Sequence, residues 1–183
     1  MLKENDPRTG FIEDAEFALI YAKLPAKLQP LILFLYTTGC RLGEALSITW
    51  EQVHLEDREI ILEASQTKNG YSRTLPLDDE LVSTLGKMFQ TSGPVFSDCN
   101  LRKSWAKAIA GIKPGLLIHD LRRSAVRNLV RSGVSEGIVM KISGHRDRSV
   151  FERYNVTSNQ DLHEAMAKRG LKCKFDASQA VAV

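Results

Sequence analysis

Three cysteines, at positions 40, 99 and 173, are too far apart for a C-x-x-C pair and are odd in number. Neither a disulfide framework nor a thiolate zinc site is indicated, and a reducing cytoplasm is the natural compartment. Long apolar runs are missing as well. The longest, Leu31 to Tyr36, falls far short of the roughly 20 residues a membrane helix needs. The opening Met-Leu-Lys-Glu-Asn-Asp-Pro is polar and lacks the apolar stretch of a secretory signal. No internal repeat or low-complexity tract is visible. The four histidines, at 54, 119, 145 and 163, show no metal-ligand spacing, and Asp78-Asp79-Glu80 reads as a helix start rather than a metal cluster.

With 183 residues, 43% of them hydrophobic and 26% charged, the chain suits one sizeable globular domain. Its net charge of +3 permits nucleic-acid binding without demonstrating it. Residues 1–10, with Pro7 and Gly10, read as a linker or trimmed end. Amphipathic spacing predicts a helix from Glu13 to Leu24, stopped before Pro25. A strongly apolar helix from Leu28 to Thr38 ends at Gly39, and a short one spans Arg41 to Ile48. The pattern then turns extended. Glu59 to Leu62 and Arg73 to Leu77 form a hairpin around Lys68-Asn69-Gly70, where Asn-Gly favours a turn, and Val53 to Leu55 supplies a third strand. Helices resume at Asp78 to Phe89, Asn100 to Ile109, and from Ile118 to about Ser132. A further helix runs from Ser135 to Gly144, another begins at Val150, and a last one is capped by Ser158-x-x-Asp161. The expectation is an α+β domain, mainly α-helical, with a small three-stranded antiparallel sheet on one edge.

The last third holds the most suggestive chemistry. His119 and Arg122 stand one helical turn apart near a helix N-terminus, where both side chains and unpaired N–H groups can meet an anion. From His119 to Tyr154 there are eight Lys or Arg against four acids, so the rest of the chain is slightly acidic. Positive charge is concentrated around the candidate site, which suggests a polyanionic partner. Gly144 closes its helix and puts His145 in a tight turn. Far upstream, Arg41 precedes Glu44 by one helical turn, so the carboxylate can orient a guanidinium that itself needs a partner or an anion where it is partly buried. Lys68, taken alone, is an ordinary turn lysine. Tyr21 and Tyr36 lie on apolar helices and Tyr71 sits by a turn, which leaves Tyr154 as the tyrosine downstream of the basic segment.

Thr38-Gly39-Cys40-Arg41-Leu42-Gly43-Glu44-Ala45-Leu46, continuing to Trp50-Glu51-Gln52-Val53, together with His119-Asp120-Leu121-Arg122-Arg123, Ser143-Gly144-His145 and Tyr154, resembles the catalytic domain of tyrosine recombinases, the phage integrase family. The resemblance covers roughly residues 9–170, with the catalytic domain read at 11–170 and 171–183 left as a tail that could contact another subunit. It implies that Arg41 and Arg122 clamp a scissile phosphate and that His119 assists proton transfer. Lys68 would be the general acid, with Lys103 or Lys107 as alternatives, His145 a further phosphate ligand and Tyr154 the nucleophile. Glu44 supports Arg41. Ser143 stands where the family commonly has leucine, and Ser149 and Val150 replace a frequent threonine, at positions expected to carry no chemistry.

The resemblance further implies a site-specific recombinase or integrase acting through a 3′-phosphotyrosyl link, for integration or excision of a mobile element, without metal or cofactor. The implied partners are double-stranded DNA, further copies of the chain in a tetrameric synapse, and accessory DNA-bending or directionality proteins. The setting would be the cytoplasm, on the nucleoid. The family's usual N-terminal helical DNA-binding domain has no counterpart in these residues, which read either as a catalytic fragment or as a compact member. Two other readings stay open: a type IB topoisomerase-like enzyme, and a non-catalytic DNA-binding module.

Overall fold

A computed structural model describes residues 10–68, 70–152, 162–163 and 166–167. The first helix, α1 (Asp14–Lys23), opens with the Glu13 N–H donating to Glu16 Oε2 at 3.1 Å. It ends at Leu24, ahead of Pro25, whose ring cannot continue a helix. The next helix, α2 (Gln29–Thr38), buries every side chain from Leu31 to Tyr36. Each such large apolar residue contributes about 1.5–3 kcal/mol, so this segment anchors the core, with α1, α4 and α6 packed around it.

Gly39 ends α2 at φ +65°. A Cβ there would lie 3.1 Å from Ala125 Cβ on α6, so glycine serves both the left-handed turn and the close approach of two helices. α3 (Leu42–Leu46) follows directly.

Strands β1 (Val53–His54), β2 (Glu59–Leu62) and β3 (Arg73–Pro76) form the antiparallel sheet in the order β1-β2-β3. Ile60 pairs with Leu75 and Leu62 with Arg73. Ile60, Leu62 and Leu75 alternate inward and are fully buried, the period-2 pattern that selects one face for the core. α4 (Asp79–Lys87) is capped by Asp78, whose carboxylate accepts from Leu81 N–H at 2.8 Å. α5 (Leu101–Ile109) carries Trp105, which donates its indole N–H to Leu116 O at 2.8 Å.

Three further helices follow, α6 (Ile118–Arg131), α7 (Glu136–Ser143) and α8 (Arg148–Glu152). A second small apolar core of Val126, Val139 and Phe151 joins these three. The sequence pattern thus predicts the observed class, a mainly helical domain with a three-stranded antiparallel sheet, and its boundaries shift by only a few residues. The helix expected after Ser158 falls largely outside the described residues. Among the described residues no helix is long and apolar enough to cross a membrane.

Candidate active site

Arg41 sits at the start of α3 with its side chain 26% exposed. Its guanidinium meets Glu44 Oε1 at 2.7 Å, and its backbone N–H donates to Glu44 Oε2 at 3.1 Å. Glu44 therefore fixes the arginine at both ends, as the one-turn spacing predicts. The same carboxylate accepts from Arg73, at the start of β3, at 2.7 Å. Burial pushes the Glu44 carboxyl up, but Arg73 and then Arg41 outweigh it and hold the pKa at about 2.

Arg122, only 2% exposed, reaches back to the turn after α2. One nitrogen donates to Gly39 O at 2.6 Å and to Ser143 O at 2.5 Å; the other lies 2.9 Å from His145 Nε2. Arginine can only donate, so the imidazole accepts there and its proton belongs on Nδ1, 2.8 Å from the Ser143 hydroxyl. That hydroxyl passes its own hydrogen to Val139 O at 2.7 Å. Burial, then the charges of Arg122 and Arg41, lower the His145 pKa to about 3, so the ring is neutral. Electrostatics from Arg41, Arg73, Arg122 and His119 all act on this imidazole. Residues far apart in the chain thus share one locus.

His119 and Arg122 differ more than a shared helical face suggests. The arginine is buried, whereas His119 is open to solvent. Desolvation by surrounding protein, then Arg122 and Arg123, lowers its pKa below the ordinary 6.5, so at neutral pH it can accept a proton. The α6 N-terminus already holds an anion from the chain itself. Buried Asp120 accepts from Leu117 N–H at 2.8 Å, which satisfies part of the helix end that the sequence suggests for a ligand.

Lys68 is exposed in the loop linking β2 to β3. Thr67 braces that loop: its hydroxyl accepts from Tyr71 N–H at 3.0 Å. Gln66 ties it to α3 by donating to Ser47 O at 2.6 Å and pairing with Gln52. Lys103 and Lys107 are exposed on α5, away from this loop in the chain. A cleft of about 430 Å³ opens between the hairpin and the α7–α8 turn, lined by Thr67, Tyr71, Arg73, Lys141, His145 and Arg146. Arg146 lies 3.8 Å above the Tyr71 ring, closing one side by a cation–π contact.

Tyr154 lies outside the described residues. Phe151, three positions earlier, is fully buried with its ring edge-on to His145, at 5.8 Å between centroids. Sequence reasoning missed Arg73, Thr67, Ser143 and Phe151 as site-building residues. Alternation along β3 was the available signal for the first, since Arg73 shares a strand face with buried Leu75.

Glu44, Gly39 and Ser143 thus hold Arg41 and Arg122 close to His145, which lines the cleft, and guanidinium groups are suited to a phosphate diester, whose oxygens accept forked, charge-assisted hydrogen bonds. The profile of the phage integrase family matches residues 12–161, and the chain belongs to that family. It is 31% identical over 122 residues to a shufflon-specific DNA recombinase of Escherichia coli, an alignment covering 64% of this chain and 31% of the relative. The integrase of Escherichia phage P2 is 27% identical over 148 residues, covering 79% of this chain and 42% of the relative. The chain spans less than half the length of these curated relatives. Among solved structures, the catalytic domain of bacteriophage HP1 integrase superposes with a TM-score of 0.68 at 23% identity, covering 90% of this chain and 98% of that domain.

Proposed function

We propose that this domain cuts and rejoins DNA at specific sites through a covalent 3′-phosphotyrosyl intermediate, as part of a recombinase or integrase that moves a mobile element. The observation that carries this reading is the convergence of Arg41, Arg122 and His145. They come from three separate segments, bound together through Gly39, Ser143 and Glu44. A DNA-binding module needs positive charge but has no use for that geometry.

Arg41 and Arg122 bind the non-bridging oxygens of the scissile phosphate, with His145 completing the pocket. As Tyr154 attacks phosphorus, charge grows on those oxygens and the preorganised forks stabilise it; loss of one such donor typically slows a reaction on the order of a hundredfold. The tyrosine proton, with an ordinary pKa of about 10, passes towards His119. The P–O5′ bond breaks and Lys68 protonates the departing oxygen. Attack on the phosphotyrosine by a 5′-hydroxyl of another strand reverses these steps and completes transfer. All the groups in this sequence come from the protein, so the reaction proceeds without metal or nucleotide cofactor. Exchange between two duplexes requires several copies on DNA, in a tetrameric synapse to which the 171–183 tail contributes, with accessory DNA-bending proteins setting direction.

The test offers a pool of nicked duplexes of randomised sequence, in chelator, and looks for protein–DNA adducts that survive denaturant. Recovery of adducts enriched in one sequence supports the reading. Relaxation of supercoiled DNA with no sequence enrichment would favour a topoisomerase, and binding without any adduct would favour a non-catalytic module.

A further inference from the structure

We propose that Arg73 is a positioning residue for strand transfer, holding Arg41 and the His145 turn in register with the hairpin that bears Lys68. The proposal rests on the strand-transfer reading above. Arg73 begins β3 on the same strand face as buried Leu75, while Thr74 between them is exposed. An arginine aimed at the core side of a strand needs compensating partners, and its partners here are parts of the site.

The guanidinium binds three segments at once. It forks onto Glu44, with nitrogens 2.7 Å from Oε2 and 3.4 Å from Oε1. Its Nε donates to Ile142 O at 3.2 Å, in the last turn of α7. One nitrogen also lies 3.8 Å from Cys40 Sγ, beside Arg41. Glu44 is thus shared between two arginines: the Arg41 guanidinium donates to Oε1, while Arg73 donates most closely to Oε2. Without Arg73, a buried carboxylate would keep a single guanidinium partner and could turn, taking Arg41 with it.

The His145 turn is moulded on the same group. Gly144 has φ +73°, and a Cβ there would stand 2.8 Å from an Arg73 nitrogen. The guanidinium therefore occupies the space that any side chain at 144 would claim. Lysine, with one ammonium on a flexible stem, cannot reproduce a planar fork serving a carboxylate and a carbonyl together. Arg73 is the first residue of β3, where the loop that carries Lys68 ends, so its hold on Glu44 and Ile142 pins that end of the loop to Arg41 and the His145 turn.

The experiment compares the parent with Arg73→Met, Glu44→Gln and the double variant in single-turnover adduct formation at saturating DNA. Arg73→Met should slow the step about a hundredfold with DNA affinity within about threefold, and adding Glu44→Gln should slow it less than about threefold more, because the two act as a unit. Arg73→Lys should recover part of the rate. Independently of activity, carbon-13 NMR should show the Glu44 carboxyl titrating at higher pH in Arg73→Met. If that variant unfolds, Arg73→Lys takes its place in both measurements. A rate within threefold of the parent, losses that multiply, or an unmoved Glu44 would overturn the proposal. Absence of adduct from the parent itself would instead overturn the strand-transfer reading, and the Glu44 titration would still decide whether Arg73 holds that carboxylate.

Discussion

Arg122 donates to the carbonyl of Gly39 at 2.6 Å, so the helix that carries one arginine grips the turn lying just before the other, Arg41. The proposed phosphate clamp is therefore braced from within the fold. Its two arginines, 81 positions apart in sequence, are tied by a buried hydrogen bond.

Replacing Arg122 should damage fold and site together. Arg122→Met leaves the carbonyls of Gly39 and Ser143 without this donor, and urea unfolding should show a loss of about 2–4 kcal/mol. Arg122→Lys should lose less stability but still slow adduct formation about a hundredfold, since one ammonium cannot serve two carbonyls and a phosphate. Equal stability of Arg122→Met and parent would contradict the assignment.

Stability should depend on pH through His145 first. Its folded pKa of about 3 lies below the ordinary 6.5. Between those values the unfolded chain binds a proton that the folded ring refuses, so stability rises with pH across that window and is lost as pH falls. One proton changes the folding equilibrium by about tenfold per pH unit. Glu44, held at about 2 against an ordinary 4.5, adds a second loss below about pH 4.5. Denaturant titrations from pH 2.5 to 8 should show both slopes, and His145→Gln should flatten the part above pH 5.

Much of this was legible in the residues because it depended on local rules. Gly39 and Gly144 marked helix ends, the Asn-Gly pair marked the hairpin, and the spacing of Arg41 and Glu44 gave their ion pair. Contacts between distant segments were not legible. Arg73 reads as a strand residue until the sheet brings it to Glu44, and Ser143, expected to carry no chemistry, proves to hold His145 from one side through its hydroxyl and Arg122 through its carbonyl. Helical spacing placed His119 beside Arg122 correctly, but it could not say that one would be buried and the other open, because that depends on what packs against α6.

His119 should set the acid limb of catalysis. Its pKa lies below 6.5, so the adduct-forming rate should stay flat down through neutrality and fall only at lower pH, where the ring is protonated. His119→Gln should lower the plateau and remove that limb. An unchanged limb in the variant would assign the titration elsewhere.

Lys68 is separable from Lys103 and Lys107 by leaving-group chemistry. A 5′-thiolate leaves without needing a proton, because thiols ionise far more readily than alcohols. Lys68→Ala should therefore cleave ordinary DNA about a hundredfold slower yet cleave a 5′-phosphorothiolate substrate nearly as fast as the parent. Alanine at 103 or 107 should change affinity and its salt dependence only. Rescue of a variant at 103 or 107 instead would move the general acid to α5.

The central claim is that the protein joins itself to DNA through Tyr154. Adducts trapped on nicked duplexes, digested with nuclease and protease, should yield a peptide containing Tyr154 that carries a 3′-linked nucleotide, and Tyr154→Phe should yield none. A nucleotide on Tyr21, Tyr36 or Tyr71, or adduct formation by Tyr154→Phe at the parent's rate, would contradict it.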